Sequence, residues 1–206
     1  MDRREALKKM AVGGATAIGA SAVLSSVAFA DGGSKPTCRP TPATSSTLTA
    51  AITGSGKSWI SITPSVSTFT PAACPGVPCK AATASVQYRW ELVSSTAGGP
   101  YSLWNASSGG SIVSGFSADS TVSVTAPVVY IRNTTGTGNL TSATYVVRLT
   151  VRHICTAGTR KYWSCQAYNL SVPYSTAGGA DGTLSATTQT NQAAPFNNAS
   201  CDSPTP

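Results

Sequence analysis

A chain of 206 residues has room for one domain of moderate size with irregular ends. Only 10% of the residues are charged and 7% aromatic, and Ser, Thr, Gly and Ala fill much of the rest, a mixture that disfavours solvent-exposed helices and suits short strands joined by turns. The formal net charge of +7 is scattered along the chain, which argues against a nucleic-acid partner, since such a partner calls for cations gathered on one face.

The first thirty residues have their own character. Asp2-Arg3-Arg4-Glu5-Ala6-Leu7-Lys8-Lys9 precedes an uncharged Ala/Gly/Ser-rich run from Met10 to Ala30 that closes on Ala28-Phe29-Ala30. This resembles a twin-arginine (Tat) export signal, with Ala6 where that family often carries Phe. The resemblance implies cleavage after Ala30, where small residues at −3 and −1 suit a signal peptidase. It also implies export of an already folded domain, secreted or held in the cell envelope (periplasmic in a Gram-negative host). The run is only weakly apolar, so the membrane is expected as a partner only through this segment, and only if it stays uncleaved. Removing Arg3, Arg4, Lys8 and Lys9 together with Asp2 and Glu5 lowers the charge from +7 to +5.

Residues 31–46, rich in Gly, Pro, Ser and Thr, are predicted as a flexible lead-in. Residues 47–190 are predicted as one β-sandwich and 191–206 as a polar tail. Within the sandwich, Leu48, Ala50 and Ile52 alternate with polar or small residues, and Trp59-Ile60-Ser61-Ile62 forms a second strand closed by Pro64. Three prolines and a glycine between Pro71 and Lys80 dictate a loop. In 85–93, Val86, Tyr88, Trp90 and Leu92 share one face, with Gln87, Arg89 and Glu91 on the other. A Gly/Ser-rich stretch carrying Tyr101, Leu103 and Trp104 follows, then weaker strands at 111–116, 120–126 and 128–132. From Ala143 to His153, Tyr145, Val147, Leu149 and Val151 alternate with Val146, Arg148, Thr150 and Arg152. A turn at Ala157–Arg160 leads into a partner strand, Tyr162–Val172, and a last strand runs from Asp181-Gly182 to Gln189. About seven to nine short strands at this spacing predict an all-β, antiparallel sandwich bearing disulfides.

Tyr88-Arg89-Trp90-Glu91-Leu92, followed later by Thr144-Tyr145-Val146-Val147-Arg148-Leu149-Thr150-Val151, resembles the immunoglobulin-like sandwiches of bacterial surface proteins, PKD-type domains above all. The resemblance rests on these two strands. It implies that the tryptophan strand packs against the tyrosine strand, and that Trp90 is core.

All six cysteines follow the export segment, and an even count in an exported chain reads as a disulfide framework. With the hairpin turn centred near Arg160, the expected pairs are Cys155–Cys165, Cys74–Cys79 across the proline-stiffened loop, and Cys38–Cys201 joining the ends.

Cys-x4-Cys and Cys-x9-Cys match no usual zinc spacing, and a blue-copper site needs two histidines where the chain has one, His153. His153 is expected to pack or cap at a strand end. There is no Gly-x-Ser-x-Gly elbow, and of the acids only Glu91 and Asp119 lie in the body of the domain, where surface ion pairs or solvation suffice for them. No catalytic residue, metal or cofactor is therefore predicted. The ligand-binding candidates are aromatic: Trp59, Tyr101, Trp104, Tyr162 and Trp163. Five Asn-x-Ser/Thr sequons, at Asn105, Asn133, Asn139, Asn169 and Asn198, suggest exposed positions. The function expected is that of an exported, non-enzymatic domain serving at the cell surface as a structural, adhesive or assembly subunit. Its partners would be surface glycans or other copies of itself, for instance by strand exchange through 31–57. The alternative is a secreted carbohydrate-binding module using its aromatic side chains.

Overall fold

In the computed structural model, which describes residues 40–41, 45–53, 57–75, 82–97, 99–108 and 110–196, the alternating segments become strands of antiparallel sheets. The segment that resembles an export signal, Cys38, Cys79, Cys201 and the end of the polar tail lie outside these residues. All described residues fall in one compact unit, Pro36–Pro206. The strands are β1 (Leu48–Ile52), β2 (Ile60–Pro64), β3 (Thr68–Phe69), β4 (Thr83–Ser95), β5 (Tyr101–Trp104), β6 (Val124–Thr125), β7 (Val129–Asn133), β8 (Ala143–Ala157), β9 (Arg160–Ser175), β10 (Thr183–Leu184) and β11 (Thr188–Phe196). No helix occurs among the described residues.

One sheet has the order β1-β2-β7-β5. The other runs β10-β9-β8-β4, with β11 also on β9, and β3 and β6 form a separate short ribbon. The two main sheets share one core. Leu48, Ile60, Ile62, Leu103, Val129 and Ile131 from the first pack with Val86, Trp90, Tyr145, Val147, Leu149, Leu170 and Val172 from the second, so the arrangement is sandwich-like. Alternation along each strand supplies these inward residues. Each fully buried aliphatic or aromatic side chain contributes about 1.5–3 kcal/mol of transfer free energy, which makes this shared layer the principal source of stability.

Trp90 is essentially buried and lies opposite Leu149 of β8. Tyr145, near the start of β8, is fully buried and sends its hydroxyl back to the Thr141 carbonyl at 2.9 Å. Tyr101 of β5 meets the Tyr145 ring edge-on, with centroids 5.3 Å apart and planes at 86°, so the two sheets touch through an aromatic pair of favourable geometry. Burial, followed by the neighbouring Tyr101, pushes the Tyr145 phenol far above its ordinary pKa, and it stays protonated as a hydrogen-bond donor.

The cysteine pairing differs from the expectation. Cys74 is bonded to Cys155, and Cys165 belongs to another disulfide, so neither Cys155–Cys165 nor Cys74–Cys79 exists. The reason lies in the hairpin. Ala157 faces Arg160, which leaves a two-residue turn, Gly158-Thr159, with Gly158 at a φ of 62°, a conformation glycine adopts without the Cβ penalty. The turn thus centres between 158 and 159. Cys155 then faces Tyr162, while Cys165 faces Arg152. Separated by an odd offset, the two cysteines point to opposite sides of the sheet. Cys155 shares the inward parity of His153 and Val151, where the loop bearing Cys74 meets it.

The last strand also runs further than the alternation indicated. β11 pairs with β9 from Thr188 opposite Ser171 to Phe196 opposite Cys165, with an irregularity after Gln192, so 191–196 is strand rather than tail. Its Thr, Gln and Asn residues hold the ladder through backbone hydrogen bonds, which leave no hydrophobic signature. At the other end of the chain, β1 is paired in cis with β2 over five positions.

Cys74 and Cys155 are 81 residues apart, so closing that loop removes about 4.5 kcal/mol of chain entropy from the unfolded state. Replacing both by Ala is expected to lower unfolding stability by roughly that amount in a denaturant titration. Non-reducing peptide mapping should recover Cys155 linked to Cys74; recovery of Cys155 linked to Cys165 would refute the register.

Candidate functional site

The five aromatic candidates do not gather in one place. Tyr101 faces inward against Tyr145, with its hydroxyl 2.7 Å from Thr141 Oγ1. Tyr162 and Trp163 sit on β9 opposite Cys155 and Ile154, in the five-stranded sheet. Trp59 and Trp104, by contrast, share the outward face of the four-stranded sheet, and between them lies Arg132.

The register explains this meeting. On β7, Val129 and Ile131 are fully buried, which turns Tyr130 and Arg132 outward. Ile60 pairs with Ile131, so Trp59, one residue before β2, comes alongside Arg132. On β5, Leu103 enters the core and Trp104 turns outward opposite Tyr130, with Ser102 opposite Arg132. The Arg132 guanidinium carbon stands 5.0 Å from the Trp104 ring centroid and 6.0 Å from that of Trp59, within cation–π range of both.

Two turns hold the cluster. Before Trp59, Lys57 adopts a φ of 64°, costly for a residue with a Cβ. Its carbonyl accepts the Leu140 N–H at 2.7 Å, and its ammonium donates to the Thr176 carbonyl at 2.7 Å. After β7, the chain turns back at Gly136, also at positive φ (72°), and Arg132 Nη2 donates to the Gly136 carbonyl. A Cβ on Gly136 would stand 3.1 Å from the Trp104 ring, so the turn lies directly against the indole. Arg132 is thereby only 8% exposed although it faces outward, while both indoles remain partly exposed. The same face carries the partly exposed Tyr130 opposite Trp104 and the exposed Ile112 bridged to it, with Thr49, Ala51 and Thr63 open to solvent.

The opposite sheet buries its own outer face. The segment at Phe116–Ser120 adds to the β4 edge through Ser117 N–H to the Tyr88 carbonyl and through reciprocal bonds between Val86 and Ser120. Phe116 then lies between Arg152, at 3.6 Å, and Arg89, at 4.4 Å. Glu91 pairs with Arg89 at 3.2 Å and Asp119 with Lys161 at 3.9 Å.

His153 is 2% exposed and accepts the Ala72 N–H on Nδ1 at 3.3 Å, so it tethers the segment that also carries Cys74. Burial lowers its pKa from 6.5 to about 4, which keeps it neutral. Among the described residues, no group of three or more His, Cys, Asp and Glu side chains is placed to hold a metal ion.

Arg132 was absent from the aromatic set because, in sequence, it is one of many scattered cations. The alternation Val129, Ile131 marks it as outward-facing. What the sequence leaves open is that β2 and β5 flank β7 and bring an indole to each side of it. No family model, curated protein or solved structure matches the chain.

The titration of His153 sets a pH dependence. In the unfolded chain the imidazole takes up its proton near pH 6.5, and in the folded protein only near 4. Stability is therefore complete above 6.5, falls as the pH is lowered towards 4, and levels off below that, by on the order of 3 kcal/mol in all. Denaturant midpoints at pH 7.5 and 4.5 should differ less in His153→Gln than in the parent protein. An equal drop in both would remove His153 as the cause.

Proposed function

We propose that this chain is an exported, non-enzymatic immunoglobulin-like domain that serves at the cell surface by adhesion. Its partner is a surface glycan, and its contact surface is the outer face of the four-stranded sheet. The observation that carries the reading is the Trp59–Arg132–Trp104 cluster, two partly exposed indoles held around a buried guanidinium on a sheet face that also presents the partly exposed Tyr130. Flat apolar rings with a polar edge suit the faces of sugar rings, and rings fixed in advance lose little entropy on binding.

Three features support the immunoglobulin-like part. Taken in chain order, the principal strands β1, β2, β4, β5, β7, β8 and β9 occupy the places A to G of a constant-type sandwich, since β1-β2-β7-β5 corresponds to A-B-E-D and β9-β8-β4 to G-F-C. Trp90 is the buried tryptophan expected on the C strand. Tyr145, bonded through its hydroxyl to the Thr141 carbonyl, occupies the tyrosine-corner position at the start of the F strand. The disulfide supports an oxidising compartment, in keeping with the export signal that the N-terminus resembles. A binding role without catalysis is supported by the state of the ionisable groups: Glu91 and Asp119 are taken up by cations, and His153 is neutral and out of contact with solvent.

The test is retention of the protein on insoluble polysaccharides. Trp59→Leu and Trp104→Leu, which keep apolar cover and remove the rings, are each expected to weaken retention by roughly tenfold, equivalent to ~1.4 kcal/mol. Trp163→Leu, on the other sheet, should leave it unchanged. Failure of the parent protein to bind any glycan, or equal loss from all three variants, would overturn the proposal.

A further inference from the structure

Arg132 is an unusual residue to find buried. A guanidinium carries five N–H donors and cannot lose its charge, and a buried cation without a partner is strongly unfavourable. Here Nη2 has one neutral acceptor, the Gly136 carbonyl, and Nη1 has none. The indole N–H of Trp104, across the cation–π contact, also lacks an acceptor. No carboxylate balances the charge. Neither Asp nor Glu occurs in β1, β2, β5 or β7, in the connection 53–59, or anywhere from 92 to 118 or 134 to 142. The two ion pairs recorded among the described residues both involve cations of the other sheet, Arg89 and Lys161.

We infer that Arg132 is the anchor of a subsite for a carboxylated sugar, the acidic residue of a polyuronate-type glycan, with Nη1 and the Trp104 N–H supplying donors and the indoles stacking on the ring. This deepens the glycan-binding reading above and rests on it. A planar guanidinium fork matches a carboxylate in geometry as well as charge, and such charge-assisted bonds are about twice as strong as neutral ones. The bound acid would supply what the site lacks, an acceptor for Nη1 and a counter-charge for a cation that has none. The excess of positive charge in the whole chain favours an anionic partner in the same sense.

Both free donors are buried, and the turn that follows β7 lies against the far edge of the Trp104 indole and holds the guanidinium through the Gly136 carbonyl. Thr135, Thr137 and Gly138 of this turn are exposed, and Gly136 and Gly138 both sit at positive φ. Displacing the carbonyl exchanges a neutral acceptor for a charged one, so entry of the acid and lifting of the turn are one event. The subsite is thus a closed one that a carboxylate opens and a neutral sugar does not.

The experiment uses the intact protein with polygalacturonate, its methyl ester, cellulose, dextran and dextran sulfate. Binding to polygalacturonate should exceed binding to the methyl ester at least tenfold. Arg132→Gln should abolish that preference, Arg132→Lys should retain part of it, and Arg160→Gln, on the exposed hairpin end, should change nothing. Near-UV circular dichroism verifies that each variant is folded. Should the Arg132 variants not fold, the parent protein decides alone, because its tryptophan fluorescence should respond to polygalacturonate and not to the ester. Equal affinity for acid, ester and neutral glycans would overturn the carboxylate subsite while leaving glycan adhesion standing. Preference for dextran sulfate over polygalacturonate would also overturn it, as would a folded Arg132→Gln with unchanged selectivity, the sign of a donor satisfied by water alone. No binding to any of the five would remove both proposals.

Discussion

Everything else in this domain depends on the register of the β8–β9 hairpin. With two residues in its turn, Gly158 and Thr159, the hairpin sets Tyr145, Val147, Leu149 and Val151 on the same side as Tyr168, Leu170 and Val172, and this continuous apolar sheet face is what the four-stranded sheet packs against. A shift of one residue would exchange that face for Arg148, Thr150 and Arg152. The same register turns Cys155 inward to Cys74 and Cys165 away from it, and it sets His153 where the Ala72 N–H can reach it. Core, covalent tie and buried histidine are three consequences of one two-residue turn.

The two sheets solve the problem of arginines on a β face in different ways. On the five-stranded sheet, Arg89 and Arg152 enclose Phe116, and Glu91 stands close enough to Arg89 to offset its charge. On the four-stranded sheet, Arg132 is enclosed by two indoles and has no acid near it. Aromatic faces soften the cost of removing a cation from water without cancelling it. One face is therefore electrostatically finished and the other is not, and this contrast sets Phe116, packed between two arginines, apart from Trp59 and Trp104, which flank an unbalanced one.

Much of the fold was legible in the sequence. Strict alternation at Val86–Leu92 and Tyr145–Val151 identified β4 and β8 and placed Trp90 inside, because burial on one face imposes a period of two. What escaped depended on information that alternation does not carry. The Cys155–Cys165 expectation failed over a turn position misjudged by one to two residues, since Ala157-Gly158-Thr159-Arg160 offers several places to reverse and only the glycine's positive φ selects one. The run of β11 beyond Gln189 escaped because Thr190, Asn191 and Gln192 are polar and pair through their backbones. At the candidate site, the aromatic residues could be named, but Tyr101 and Trp104 belong to opposite faces of one four-residue strand, and only strand order shows that Trp104 and Trp59 share Arg132. A set chosen by residue type thus contained the two indoles beside Arg132 without their grouping.

The Cys74–Cys155 bond has a mechanical consequence. It ties the segment after β3 to the far end of β8, so the stretch between its ends, a sequence separation of 81, cannot be drawn out by tension applied along the chain. At 3.3–3.6 Å per residue, about 280 Å of contour length is withheld, and β4, β5, β6 and β7, with Arg132 and Trp104, lie inside the withheld span, whereas Trp59 precedes it. Even if β1 and the C-terminal strands were peeled away under load, the strands that carry Trp104 and Arg132 would remain within a loop of fixed length. A tether built in this way limits how far the two ends of the chain can be separated before the disulfide itself carries the load.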